Sequence, residues 1–156
     1  MKESVQAGLD VRWSKPENYH ITVNFLGDSP DHPIERIISE LQKKEFSSFW
    51  IQIQHLGFFL NGKHSNIMWA GVESKEIGPF YDQIQNTVEK LGYPRSIKPF
   101  RPHITLGRMK KFDHELKDGS IATTLDQFKM NQFCLYESIF SSMKMEYKIL
   151  GTFHCK

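Results

Sequence analysis

Two short segments constrain this chain more than anything else in it: His20-Ile21-Thr22-Val23 and His103-Ile104-Thr105-Leu106. Each sets a histidine and a threonine two residues apart among apolar, largely β-branched neighbours, a composition that favours strand. On a strand, residues i and i+2 leave from the same face, about 6.5–7 Å apart. Each segment therefore offers an imidazole and a hydroxyl side by side. A fold that brings the two strands together turns two proton-transfer groups and two hydroxyl donors onto one space. Such a constellation suits an oxyanion centre at which one group attacks and another leaves, as in a phosphodiester.

The flanking residues sharpen this reading. The first segment lies between Lys15-Pro16-Glu17-Asn18-Tyr19 and Asn24-Phe25-Leu26-Gly27, the second between Phe100-Arg101-Pro102 and Gly107-Arg108. In this context the chain resembles the 2H phosphoesterases, named for paired His-x-Thr-x motifs. Within them it is most similar to the bacterial and archaeal RNA 2',3'-cyclic phosphodiesterases, historically called 2'-5' RNA ligases. The likeness runs from Gly8 to Phe153.

The resemblance implies a single α+β domain over residues 1–156, bilobal, with two antiparallel sheets lining a central cleft and helices outside. Each motif strand would line one wall. By the same resemblance His20 acts as general acid on the leaving sugar oxygen and His103 as general base on water. Thr22 and Thr105 bind the phosphate oxygens, and the product is a 2'-phosphomonoester. Members of the family open with a strand and a helix ahead of the Val11-Arg12-Trp13 stretch. The expectation here is that this first strand and most of its helix are missing, leaving an unpaired sheet edge and exposed apolar surface.

Arg108 joins the candidates on the residues alone. Its place on the second motif strand fits an inward guanidinium that holds a phosphate through paired hydrogen bonds. Histidine suits both proton-transfer roles because it changes protonation near neutral pH. No metal or other cofactor is expected, since the chain lacks the carboxylate cluster that Mg²⁺ uses.

A pass along the chain orders the elements as β-β-α-β-β-α-β-β-β. Val11–Trp13 and Tyr19–Leu26 read as strands. Ile34, Ile37, Ile38 and Leu41 recur at helical spacing, so Pro33 to Lys44 reads as an amphipathic helix with proline in its first turn. Phe49–Leu60 and Ile67–Val72 form a hairpin around a turn at Asn61–His64. Ile77–Leu91 is a second helix stopped by Gly92. Arg101–Arg108 carries the second motif, a weak turn or helix pattern follows over Phe112–Gly119, and Met130–Phe140 and Lys144–Phe153 close the chain as a hairpin. The plan is duplicated in layout, with no sequence repeat outside the motifs.

Charge and composition bound the partners. A net charge of +2 is far from that of a non-specific nucleic-acid coat, so any RNA contact is local. Arg95, Lys98, Arg101, Arg108, Lys110 and Lys111 concentrate positive charge around the second motif. Tyr19, Phe25, Phe58 and Phe100 are candidates to stack on a base, although aromatics are more often core. His32, His55, His64, His114 and His154 lack a threonine at i+2 and read as surface or loop residues. No apolar run reaches the ~18 residues that cross a bilayer, and the first residues lack the apolar core of a signal peptide. Cys134 and Cys155 read as reduced thiols of a cytoplasmic protein. The expected partner is RNA or a nucleotide with a 2',3'-cyclic phosphate, met by a monomer or by copies associating through the exposed edge. Other classes stay open: a binding module without turnover, 2'-5' ligation by the reverse reaction, and a zinc site built from His20, His103 and a further histidine.

Overall fold

The computed structural model describes residues 11–27, 34–59, 66–109, 126–141 and 144–156. Their elements are β1 (Val11–Trp13), a 3-10 turn (Pro16–Asn18), α1 (Ile34–Gln42), β2 (Phe49–Phe59), β3 (Asn66–Glu73), α2 (Ile77–Glu89), β4 (His103–Met109), β5 (Asp126–Met130), β6 (Gln132–Ser141) and β7 (Lys144–His154). The strands form a five-stranded sheet in the order β1-β4-β3-β2-β5 and a two-stranded sheet of β6 and β7. The class is α+β, mainly sheet with two helices. Among the described residues no helix is long and apolar enough to cross a membrane.

The chain divides into two compact units. The first comprises Met1–Thr22, Gln52–Glu73 and Arg101–Asp126, the second Val23–Ile51, Ser74–Phe100 and Gln127–Lys156. In the first unit β1, β4, β3 and the greater part of β2 run antiparallel. One face of this sheet carries an apolar cluster of Phe58, Met68 and Met109, joined by Val11, Leu56 and Leu106. Leu56 and Phe58 alternate along β2, so the residues between and beside them, like the neighbours of Met68 on β3, leave from the opposite face.

The second unit packs Phe46, Phe80, Phe133 and Phe153 edge-on and stacked, with ring centroids 4.7–5.7 Å apart. Ile37 and Leu41 of α1 and Ile77, Phe80, Ile84 and Val88 of α2 are buried, as their helical spacing requires. The helix α2 ends in a Schellman motif: Tyr93 N–H donates to Val88 O and Gly92 N–H to Glu89 O, with Gly92 at φ 96°. Gly92 thus stops the helix as expected, two residues earlier than the apolar pattern runs. Along the β6–β7 hairpin the register aligns Tyr136 with Ile149, Ser138 with Tyr147 and Phe140 with Met145. Their apolar members are all exposed. Cys134 and Cys155 are free thiols; Thr152, not Cys155, stands opposite Cys134.

Two expectations need correction. Tyr19–Leu26 is not a continuous strand. The 3-10 turn just before it takes up Tyr19 N–H, which donates to Pro16 O, and Asn18 O accepts from the His20 side chain. Within the segment Ile21 forms an isolated bridge to Ile104. The bridge sets the two His-x-Thr triplets next to each other within the first unit. In addition, a separate strand, β5, precedes the terminal hairpin. The start of the chain, Pro33, the Asn61–His64 turn, Lys110, Lys111 and Phe112–Gly119 lie outside the described residues.

Candidate active site

The bridge between Ile21 and Ile104 is antiparallel, so its register sets His20 beside Thr105 and Thr22 beside His103. Residues directly opposite in an antiparallel pair project from the same face. Ile104 alternates with His103 and Thr105 along β4, so the four polar side chains share the face opposite the isoleucines. They make two cross-strand rows, each with one imidazole and one hydroxyl. The two histidines are diagonal neighbours, which for such a pair means about 7–8 Å. Both are half-buried, as is Thr105, while Thr22 is exposed.

Each imidazole is held the same way. His20 Nδ1 lies 2.8 Å from Asn18 O, and His103 Nδ1 lies 2.7 Å from Arg101 O. A carbonyl oxygen only accepts, so in both rings Nδ1 carries the proton. That leaves Nε2 in each case as the position for proton transfer, a base when the ring is neutral and an acid when it is protonated. In both motifs the anchoring carbonyl belongs to the residue two before the histidine, a local contact that fixes tautomer and ring orientation together.

Strict alternation along β4 would send Arg108 to the apolar face, away from His103 and Thr105. A bulge reverses this. On β3, Trp69 faces Thr105 and Met68 faces Gly107, which leaves Leu106 as the extra residue. Leu106 and Met109 both pack on the apolar cluster. Arg108, opposite Ile67, therefore returns to the face of the histidines. Gly107 permits this: a Cβ there would lie 2.8 Å from Arg12 O and 2.8 Å from Val11 Cγ1, against the neighbouring strand. Leu106 O accepts from Ser14 N–H at 2.8 Å, so the bulge is also tied to the segment leading to the first motif.

Three aromatic side chains that the sequence did not single out occupy the same face. Phe59 meets the His103 ring edge-on with centroids 4.9 Å apart, and Trp69 lies 6.3 Å from it. His55, expected on the surface or in a loop, is half-buried, lies edge-on to Trp69 and leans over Gly71, the residue opposite His103. Both Gly57 and Gly71 lack a side chain where a ring lies flat on the backbone: Trp69 on the first, His55 on the second. Glycine inside a strand was the available signal.

The other candidates fall elsewhere. Phe58 is core at 5 % exposure, and Phe100 stacks on Tyr81 at 4.3 Å. Tyr19 and Phe25 are exposed. Arg95 is bound to Asp82 at 3.0 Å, Glu89 at 3.4 Å and Asn86 at 2.6 Å, and the hydrogen bond with Asp82 leads in raising its pKa. It is engaged within the second unit and does not add to a basic patch.

Comparison with known proteins bears on the family and the fold. A family model described as LigT-like phosphoesterase matches residues 1–69. An RNA 2',3'-cyclic phosphodiesterase of Archaeoglobus fulgidus is 31% identical over 92% of this chain and 83% of its own length. A protein of the same name from Thermotoga maritima is 28% identical over 96% of this chain and 82% of its own. Among solved structures, a Thermus thermophilus protein superposes with a TM-score of 0.79 at 22% identity, covering 96% of this chain and 85% of that one. Escherichia coli LigT complexed with 3'-AMP superposes with a TM-score of 0.70 at 22% identity, covering 93% and 81%. Similarity to the Archaeoglobus relative along most of both chains carries the assignment: this chain belongs to the family of LigT-like phosphoesterases.

Proposed function

We propose that the chain hydrolyses RNA ends bearing a 2',3'-cyclic phosphate to the 2'-phosphomonoester, with His20 and His103 as the acid–base pair and no metal in the step. The observation that carries this reading is the pair of cross-strand rows, His20 with Thr105 and His103 with Thr22, on one face. The names of the relatives support the substrate class.

In this reaction a neutral His103 takes a proton from water at Nε2 while the water oxygen forms a bond to phosphorus. The bond from phosphorus to the 3' oxygen breaks, and a protonated His20 gives its Nε2 proton to that oxygen. Thr22, Thr105 and Arg108 hold the non-bridging oxygens, where charge builds in the transition state. The diagonal placement of the two histidines suits attack and departure on opposite sides of one phosphorus. Proton exchange with solvent restores both rings. The assignment of acid and base follows the family pattern, since the two rings are held alike. Water, at ~55 M, outcompetes an incoming 5' hydroxyl at an open site, so hydrolysis takes precedence over ligation.

The test is incubation with an RNA oligonucleotide ending in a 2',3'-cyclic phosphate, in excess EDTA, beside His20→Ala and His103→Ala. Conversion to the 2'-phosphate by the unmodified protein alone supports the proposal. Loss of activity in EDTA sinks the metal-free step and favours a zinc site. Binding of the RNA without conversion points to a non-catalytic module.

A further inference from the structure

We propose that Arg12 binds the phosphodiester one nucleotide upstream of the cyclic end, so that the site selects RNA chains over single cyclic nucleotides. The proposal rests on the reading of the His–Thr rows as the phosphate site. It starts from the register of β1, which sets Arg12 directly opposite Arg108 and Val11 opposite Met109. Val11 and Met109 pack in the apolar cluster, so both arginines leave from the other face, that of the histidines. Both are exposed there.

Like charges directly opposite on an antiparallel pair are destabilising. A bound anion turns that cost into a favourable contact, because guanidinium groups bind phosphate oxygens through paired, charge-assisted hydrogen bonds. Among the described residues no acidic side chain pairs with Arg12, and nearby Glu17 is 3.7 Å from Lys15 Nζ. The scissile phosphate does not need this second arginine. A cyclic phosphodiester carries one negative charge on two non-bridging oxygens, whose partners Thr22, Thr105 and Arg108 already supply. Arg12 is a cation in excess of the reacting group, at a position that faces it.

The spacing identifies the second anion. Thr105 and Arg108 stand opposite Trp69 and Ile67, two residues apart on β3. The arginine row therefore lies one strand repeat, about 6.5–7 Å, beyond the His20–Thr105 row. A nucleic-acid chain that leaves the scissile phosphate along β4 towards Arg108 brings its next phosphodiester to Arg12. A contact of this kind adds affinity without reading the base.

Calorimetric titration with products tests the proposal without requiring turnover. The probes are a nucleoside 2'-phosphate and a dinucleotide ending in a 2'-phosphate, which adds one internal phosphodiester. The unmodified protein is expected to bind the dinucleotide more tightly. In Arg12→Ala this advantage falls about tenfold, and the slope of log K against log salt for the dinucleotide drops by about 0.7. Arg12→Lys retains most of both. The proposal is overturned if the unmodified protein shows no dinucleotide advantage, if Arg12→Ala leaves the advantage in place, or if it weakens both ligands equally. Hydrolysis of the cyclic phosphate is scored separately. A protein that shows the Arg12-dependent advantage but no hydrolysis retains this site and loses the function proposed above.

Discussion

Ile21 and Ile104 face each other across a single antiparallel bridge, and that one pairing brings four polar side chains together. Each isoleucine is the middle residue of a His-x-Thr triplet, so pairing the middles crosses the ends: each histidine meets the other motif's threonine. The arrangement has local two-fold character, matched by the Nδ1 anchors at Asn18 O and Arg101 O. A symmetric site is suited to a reaction whose attack and departure are chemically alike.

If both rings transfer protons, His20→Ala and His103→Ala each lower kcat by about 10²–10⁴, the usual worth of a positioned acid or base. The double variant is expected to lose little more than the worse single one, because the groups act as a unit. Thermal melts should move little, since neither ring is fully buried. Steady-state kinetics on a cyclic-phosphate oligonucleotide, with melts as control, decides the matter; a single variant at unmodified rate removes that histidine from the mechanism.

Arg108→Ala is expected to lower kcat/KM by at least about tenfold, the loss of a charge-assisted hydrogen bond to phosphate. Arg108→Lys should recover only part, since an ammonium cannot make the paired contact. Arg108 is exposed, so the melting temperature should hold. Unchanged kinetics in Arg108→Ala would show that the bulge turns the guanidinium to the site face without a phosphate to bind.

The elements that were legible share one property: their signal is local. Ile37 and Leu41 in α1, Gly92 after α2 and the apolar alternation of β2 announce themselves within a few residues. The motif residues stood out because the pattern occurs twice. What the sequence hid depends on register. Tyr19–Leu26 has the composition of a strand, yet it starts from the Pro16–Asn18 turn, which takes Tyr19 N–H, and it meets β4 through the single Ile21–Ile104 bridge. The face of Arg108 follows from one extra residue, Leu106, which only the pairing with β3 reveals. Phe59, Trp69 and His55 reach His103 across strands, and nothing in their own neighbourhood points there.

Just past the first motif, Asn24 makes a polar contact within the second unit. Asn24 Nδ2 donates to Gln85 Oε1 at 2.7 Å, and Gln85 is 1 % exposed. Asn24→Leu leaves that buried oxygen without this donor, at a cost of about 1–3 kcal/mol. For a chain of this size that is a fall in melting temperature of roughly 2–4 °C per kcal/mol. Asn24→Leu with Gln85→Leu removes both polar partners and should recover part of the loss. Equal melts for all three proteins would mean that this hydrogen bond is dispensable.

Gly57 tests whether the aromatic face steers catalysis. The Trp69 indole lies where a Gly57 side chain would be, tilted against Phe59 at 5.1 Å, and Phe59 in turn meets the His103 ring. Gly57→Ala therefore forces the indole off the strand, at about 1–3 kcal/mol for overpacking. The displaced indole pushes on Phe59, which frees the His103 ring to turn about its Nδ1 anchor. The expected signature is a lower kcat with KM little changed, because in the proposed reaction the phosphate is held mainly from Thr22, Thr105 and Arg108. Tryptophan emission should shift to the red, since Trp13 and Trp50 are already 50% and 59% exposed and the half-buried Trp69 supplies the least exposed component. Adding Trp69→Phe to Gly57→Ala makes room for the methyl group, so coupling between the two changes is expected in both melts and kcat. Strictly additive effects would show that the indole does not transmit the strain to His103.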